Sequence, residues 1–219
     1  MIRKDIHAVI TGDLVDSTAI SKDYHEVLFR IADDIQKYQL SDFKFDIYRG
    51  DSFQALVSDP NKSLLISIIM RSGLRRYSNG SSISDAWDAR VSVGIGKITS
   101  DPNGKLGQLI GEAFVRSGRG LEPMKKEGLR LRITTGEEQI DREFESTCPL
   151  ADHIISRWTT SQSEAIYLSL LKGITQKEIG EELKQTQRVV SKRLESGNLE
   201  SLSNFFNRFK EIIEWKFSN

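Results

Sequence analysis

The chain has 219 residues, 38% of them hydrophobic, with Lys plus Arg and Asp plus Glu balanced at 31 each. That hydrophobic share excludes wholesale disorder, and the neutral total excludes a general basic field for nucleic acid or membrane, so any nucleic-acid contact must come from a local patch. A single cysteine, Cys148, excludes an intrachain disulfide, three histidines give no zinc spacing, and the absence of any long apolar window predicts a cytoplasmic chain with no membrane partner.

The run from His7 to Thr11 reads as a buried strand that stops at Gly12-Asp13. Tyr24, Val27, Leu28, Ile31, Ala32, Ile35 and Tyr38 then recur at three and four, one apolar face of a helix. Phe43, Phe45 and Ile47 alternate with polar neighbours as a second strand. Arg49-Gly50-Asp51 interrupts it, and Ser52 to Val57 resumes as its hairpin partner. Asn61 to Arg75 is helical, with Leu64, Leu65, Ile68 and Ile69 inward. Residues 77–84 read as a loop, and Val91, Val93 and Ile95 mark a strand over 89–96. After a turn at Asp101 to Gly104, a short helix over 110–121 and a strand over 129–134 complete the order β-α-β-β-α-β-α-β. That order predicts an α+β, ferredoxin-like sheet containing antiparallel strands, covered by helices on one face.

Residues 136–148 are polar and acidic and read as a linker. The expected domains are therefore 1–145, the sheet, and 146–219, all helical. In the second, Ser161-Gln-Ser-Glu164 and Thr175-Gln-Lys-Glu178 have the pattern of capping boxes, and Gly173 that of a helix terminator. Ile166, Leu170, Leu171, Ile179, Leu183, Val189, Val190 and Leu194 are the expected inward residues of three short helices. A last helix over 199–215 presents Leu202, Phe205, Phe206, Phe209, Ile212, Ile213 and Trp215, as core or as a dimer seam.

Two features carry chemistry. A crossover helix between the first strand and the Phe43 strand makes them run parallel, so Asp13 and Asp51 fall at the same end of the sheet. Paired carboxylates repel unless a cation lies between them, and Mg2+ suits such a pair because it leaves coordination positions for phosphate oxygens. The alternative is that both are ordinary strand-end turn residues. Arg49 and Lys97 are the nearby cations expected to meet phosphates, or plain solvated surface.

The segment Asp13-Leu14-Val15-Asp16-Ser17-Thr18 resembles the first metal-binding segment of class III nucleotidyl cyclases, and Gly50-Asp51-Ser52-Phe53 resembles their second metal-binding hairpin. Gly111 to Arg119 resembles the later helix that carries a transition-state Asn and Arg. The Gly-Asp strand end, the hairpin Gly50 to Gln54 and the helix Gly111 to Arg116 are also similar to those of the SatD-like proteins, a bacterial group. The likeness spans about residues 5–135. It implies Mg2+ on Asp13 and Asp51, a bound nucleoside triphosphate or other nucleotide, and an active site completed across a homodimer. It also implies charge stabilisation by Arg119, with Arg116 as a substitute donor because Val115 replaces the Asn. The base-reading positions fall at Ile47 and Gln108, which match neither purine pattern, and Arg49 lies beside them.

The second feature is the helical tail, which resembles a helix-turn-helix of the kind found in sigma factors and response regulators, with its turn at Lys184-Gln185-Thr186. Gln187, Arg188, Ser191 and Lys192 lie on the exposed side of its third helix and are the expected DNA contacts. Lys184, Arg188, Lys192 and Arg193 supply four cations and no acid between 184 and 193. These features predict a magnesium-dependent, cyclase-like nucleotide domain joined to a DNA-binding tail. The alternative is a transcription regulator whose sheet domain is a catalytically inactive dimerisation or ligand module.

Overall fold

The structure is a computed structural model, and it describes residues 2–17, 24–78, 83 and 86–218, except for the side chain of Arg49. Five strands, β1 (Ile6–Leu14), β2 (Phe43–Arg49), β3 (Ser52–Val57), β4 (Ala89–Lys97) and β5 (Leu131–Thr134), form one sheet in the order β2-β3-β1-β4-β5. β1 lies antiparallel to both β3 and β4, and β2 antiparallel to β3. β1 and β2 therefore point the same way with β3 between them, and their carboxyl ends share one edge as the topology predicted. Only β5 is parallel to its neighbour, β4.

Helices α1 (Tyr24–Lys37) and α2 (Ser63–Arg76) cross on one face, where Ile6, Ala8, Ile10, Val91, Val93 and Ile95 meet Leu28, Ile31 and Ile35 in the main core. α3 (Glu112–Glu127) covers the opposite face. There Val9 and Leu56 join Ala113 in a separate small core. The expectation of helices on one face is thus corrected: the β4-α3-β5 crossover adds a second layer. Small residues make that layer possible, since a Cβ on Gly94 would overlap the Ala113 carbonyl and the Ser117 amide. α3 is longer than its apolar pattern suggested and runs through Pro123, and the following strand starts at Leu131 rather than Leu129.

The region expected to be a linker is instead the helix α4 (Glu138–Ile155), whose Ile140, Phe144 and Cys148 are buried on the main core. Its acidic residues are the solvated face of an amphipathic helix, which composition alone does not distinguish from a linker. α5 (Thr160–Lys172), α6 (Gln176–Leu183), α7 (Gln187–Ser196) and α8 (Leu199–Phe217) follow. α2 is buried nearly all round because the sheet lies on one side of it and α5 on the other. Apolar contacts are continuous from Ile6 through Ile166 to Phe217.

The α5 capping box is formed by Thr159 and Gln162, two residues before the Ser161–Glu164 pair expected from the pattern, while Thr175 and Glu178 cap α6 as read. Gly173 terminates α5 in the left-handed conformation, and Lys184 adopts that conformation at the end of α6, φ 53°, where a glycine is common. Val189 and Trp215, expected inward, are exposed at 37% and 77%.

Candidate functional site

The site begins where β1 runs out. Asp13 pairs with Ser52 of β3 on one side and with Arg90 of β4 on the other. Past it, the Leu14 amide donates to the Asp51 carbonyl at 3.2 Å and the Val15 amide to the Asp88 carbonyl at 2.9 Å, so the strand end is tied to both neighbours. Asp16 then turns the chain in the left-handed region, φ 52°, which a short polar side chain tolerates better than most. On the other side, Gly50 and Asp51 form a two-residue hairpin turn in which Gly50 takes φ 53°. The His25 ring Nε2, in the first turn of α1, meets the Gly50 carbonyl at 2.7 Å.

Asp13 and Asp51 are brought together at this edge, and their other contacts divide their oxygens. Asp51 Oδ2 accepts from Ser17 Oγ at 2.5 Å. Asp13 Oδ2 accepts from Arg90 Nη1 at 3.1 Å, and Asp13 Oδ1 is buried with no hydrogen-bond partner. Burial raises the Asp13 carboxyl above its ordinary pKa. Arg90 opposes that rise, and the Asp51 charge adds to it. An unpartnered carboxylate oxygen held close to a second carboxylate fits a hard divalent cation, which needs one or two carboxylates and takes its remaining oxygens from water or phosphate. Among the described residues no group of three or more His, Cys, Asp or Glu could hold a metal ion.

The other expected site residues are dispersed. Arg116 donates to the Ile95 carbonyl at 2.5 Å and pairs with Glu112 at 3.2 Å. Ile95 is five ladder positions along β4 from Arg90, roughly 17 Å at the usual strand rise. Lys97 lies beyond it, 3.6 Å from Asp5. Arg119 is exposed on the side of α3 opposite its buried Ser117 and Gly120, turned away from the sheet. Ile47 pairs with Phe53 and packs on the main core, whereas Gln108 is exposed on a 3-10 turn against the opposite face. The strand alternation that made Ile47 inward also removes it from the side that Gln108 occupies. The Arg49 side chain and Thr18 lie outside the described residues.

Two cations were missed. Arg90 alternates outward with Ser92 and Gly94 against inward Val91 and Val93, so antiparallel pairing of β4 with β1 would have placed it opposite Asp13. Lys125, in the last turn of α3, acts favourably on the Asp13 carboxylate from across the layer. A short α3 ending at 121 hid it.

Behind the site lies a buried ion cluster that sequence reading did not anticipate. Asp88, with no solvent exposure, receives Arg71 Nε and Nη2 at 2.8 Å each, Arg75 Nη1 at 3.1 Å and Arg130 Nη1 at 3.0 Å. Arg71 also reaches Asp152 at 2.8 Å, and Arg75 donates to the carbonyls of Ser156 and Trp158. Trp158 Nε1 donates to the Gly197 carbonyl at 2.8 Å, at the end of α7. The residue that anchors Val15 is thus bonded, through Arg75 and Trp158, to the helical tail.

In the tail, Gln187, Arg188, Ser191 and Lys192 line one surface groove with Gln176, Thr186 and Glu195. Thr186 caps α7 by accepting from the Val189 amide, while Val190 and Leu194 anchor the helix inward.

A model described as "SatD family (SatD)" matches residues 7–210. No curated protein matches the chain. Among solved structures it is similar to a bacterial light-regulated adenylyl cyclase, with 11% identity over 63% of this chain and 79% of that one, TM-score 0.45. It is also similar to the catalytic core of a rhodopsin-guanylyl cyclase with converted specificity in complex with ATPalphaS, with 11% identity over 54% and 72%, TM-score 0.41. A third is the active GGEEF domain of a diguanylate cyclase from Vibrio cholerae, with 13% identity over 61% and 85%, TM-score 0.39. Among the described residues no helix is long and apolar enough to cross a membrane.

Proposed function

We propose a function on one premise: this chain belongs to the SatD family, whose model covers residues 7–210. The reading is a nucleotide-responsive regulator, in which the β1/β3 edge binds a nucleotide's phosphates with Mg2+ and the α6–α7 pair binds DNA. The observation that carries it is the buried, unpartnered Asp13 Oδ1 beside Asp51. Asp13 and Asp51 would hold the cation, whose chemistry when bound is to neutralise phosphate charge. Ser17 orients the Asp51 carboxylate, Arg90 orients that of Asp13, and Lys125 adds positive potential on the phosphate side. In the tail, exposed Gln187 and Arg188 suit base edges, and Lys184 and Lys192 suit phosphates.

A cyclase-like turnover is the second reading, and one observation favours it. Arg119, Val115 (50% exposed) and Ile110 (64% exposed) all face solvent from α3 and the turn before it. A homodimer burying that face would carry Arg119 to the acidic tips of a second copy, where it would stabilise charge on the phosphates.

The test is a thermal-shift titration of Mg2+ with each of the four nucleoside triphosphates, paired with a pyrophosphate assay. A Mg2+-dependent shift that disappears in Asp51→Ala is expected. Pyrophosphate release lost in Asp51→Ala and in Arg119→Ala would select the enzyme over the sensor. No shift with any nucleotide would remove both readings.

A further inference from the structure

The face of the sheet that carries α3 is only partly covered. α3 lies over β1, β4 and β5, and the 3-10 turn Leu106–Gln108, with Leu109, covers Val9 and Leu56. Between that turn and the acidic edge, β2 and β3 present Asp46 and Gln54 on the α3 side, because their neighbours Phe45, Ile47, Phe53 and Ala55 turn into the main core. The alternation that takes Ile47 inward thus brings Asp46 outward. Asp46 is exposed and Gln54 half-buried.

Both side chains are held in place. Asp46 pairs with Gln54 across the ladder, and Gln54 with Thr11. Gln54 Nε2 donates to Thr11 Oγ1 at 3.3 Å, and that hydroxyl lies 2.8 Å from Ser117 Oγ of α3, so the amide is oriented with one N–H still to give. Asp46 Oδ1 accepts from the Ile47 amide at 2.8 Å, which uses one of roughly four acceptor positions of a carboxylate. Asp46 lies two strands across and two positions back from Asp13, roughly 12 Å between Cα atoms at the usual sheet spacings. A nucleotide whose phosphates meet a cation at Asp13 and Asp51 spans that distance with its base. One stripe of α3 runs beside the path, with Phe114 packed on the small core at one end and Lys125 acting on Asp13 at the other.

We infer that, on the nucleotide reading proposed above, Asp46 and Gln54 select guanine. A carboxylate offers acceptors only, and among the four bases guanine alone sets two donors side by side, N1–H and the N2 amino group. Its O6, next to them, accepts from the remaining Gln54 N–H. Adenine and cytosine place a ring-nitrogen acceptor beside their amino group, and uracil a donor between two acceptors, so each sets an acceptor against Asp46.

The affinity of the full-length chain is measured by calorimetry in Mg2+ for GTP, for ATP, for ITP, which lacks the N2 amino group, and for XTP, which carries an oxygen there. GTP is expected to bind about tenfold or more tightly than ITP and ATP. In Asp46→Asn the amide sets an acceptor beside a donor, which matches N1–H and O2 of xanthine, so the order of GTP and XTP should reverse. A gain for XTP cannot come from misfolding, and asparagine keeps the acceptor for the Ile47 amide. Mg2+-dependent binding with no preference for GTP, or a preference that survives Asp46→Asn, overturns the inference and leaves the proposed nucleotide site standing. Binding of no triphosphate at all removes that site and the inference with it.

Discussion

Asp88 and Arg71 meet with neither side chain exposed, two guanidinium nitrogens 2.8 Å from the two carboxylate oxygens. Burial alone would push the Asp88 carboxyl up, but Arg71, Arg75 and Arg130 together reverse this and hold it well below the usual carboxylate range. A depressed folded-state pKa contributes stability that is fully present above the unfolded value of 3.8 and is lost as pH falls through the folded one. Asp88→Asn should therefore cost about 3–5 kcal/mol at neutral pH by stranding buried arginines. Its stability should also fall less steeply below about pH 4. Urea denaturation of both proteins between pH 2 and 7 measures both effects.

Asp13 has the opposite sign. Burial raises its folded-state pKa above 3.8, so its contribution to stability is greatest below that value and declines as pH rises through the folded pKa. At neutral pH and without a divalent ion, Asp13→Asn is expected to raise Tm or leave it unchanged, because it removes a desolvated charge beside Asp51. With Mg2+ and nucleotide the order should invert, the parent gaining Tm and the variant not. A variant that loses stability in metal-free buffer would mean that the Arg90 pair outweighs the burial.

The juxtaposition of Asp13 and Asp51 was legible because it follows from connectivity: a crossover helix fixes strand direction, and direction fixes which ends coincide. The two capping patterns show the limit of local signals. Thr175-x-x-Glu178 matches the observed capping box, but at the α5 start Thr159 and Ser161 both precede acceptable partners, and the local pattern does not distinguish the Thr159 box that forms from the Ser161 one that does not. The Asp88 cluster was not legible, because its members come from four separate places in the chain and each is an ordinary surface residue type. What buries them is the docking of α4 and α5 on α2, and the composition of 136–148 pointed away from that docking.

Gly94 fixes the distance between α3 and the sheet. A Cβ there would strike the Ala113 carbonyl and the Ser117 amide, backbone atoms that cannot rotate aside. Gly94→Ala is expected to cost about 1–3 kcal/mol or more, as overpacking without relief does. It should also weaken Mg2+-nucleotide binding by displacing Lys125. Gly118→Ala, whose added carbon meets nothing within 4 Å, is the control and should match or exceed the parent in urea denaturation.

Lys184 holds a left-handed conformation between α6 and α7, φ 53°. A side chain there costs roughly 1–2 kcal/mol that glycine avoids. Lys184→Gly should thus stabilise the tail by up to about 1 kcal/mol, after the larger unfolded-state entropy of glycine is deducted. If Lys184 also meets DNA phosphate, the same variant should bind DNA less tightly while melting higher, a combination that a purely structural residue would not give.

The DNA reading makes a claim about slopes rather than affinities alone. Across residues 147–219 there are ten Lys or Arg and nine Asp or Glu, so attraction must come from a local patch, and over residues 184–193 that patch is exposed Lys184, Arg188 and Lys192 with half-buried Arg193. Arg193 is engaged with Glu164 at 3.5 Å, which leaves three exposed cations in that patch, and if the patch alone meets phosphate a plot of log affinity against log salt should have a slope near −3 per bound chain. Lys192→Gln should reduce that slope by about one and weaken every sequence alike, whereas Arg188→Gln should relax preference at one base position if it reads an edge. Competition binding on random and selected duplexes at several salt concentrations separates the two. A slope indistinguishable from zero would leave α7 as a protein-facing helix, and the exposed Val189 beside Arg188 would then be the place to look for that partner.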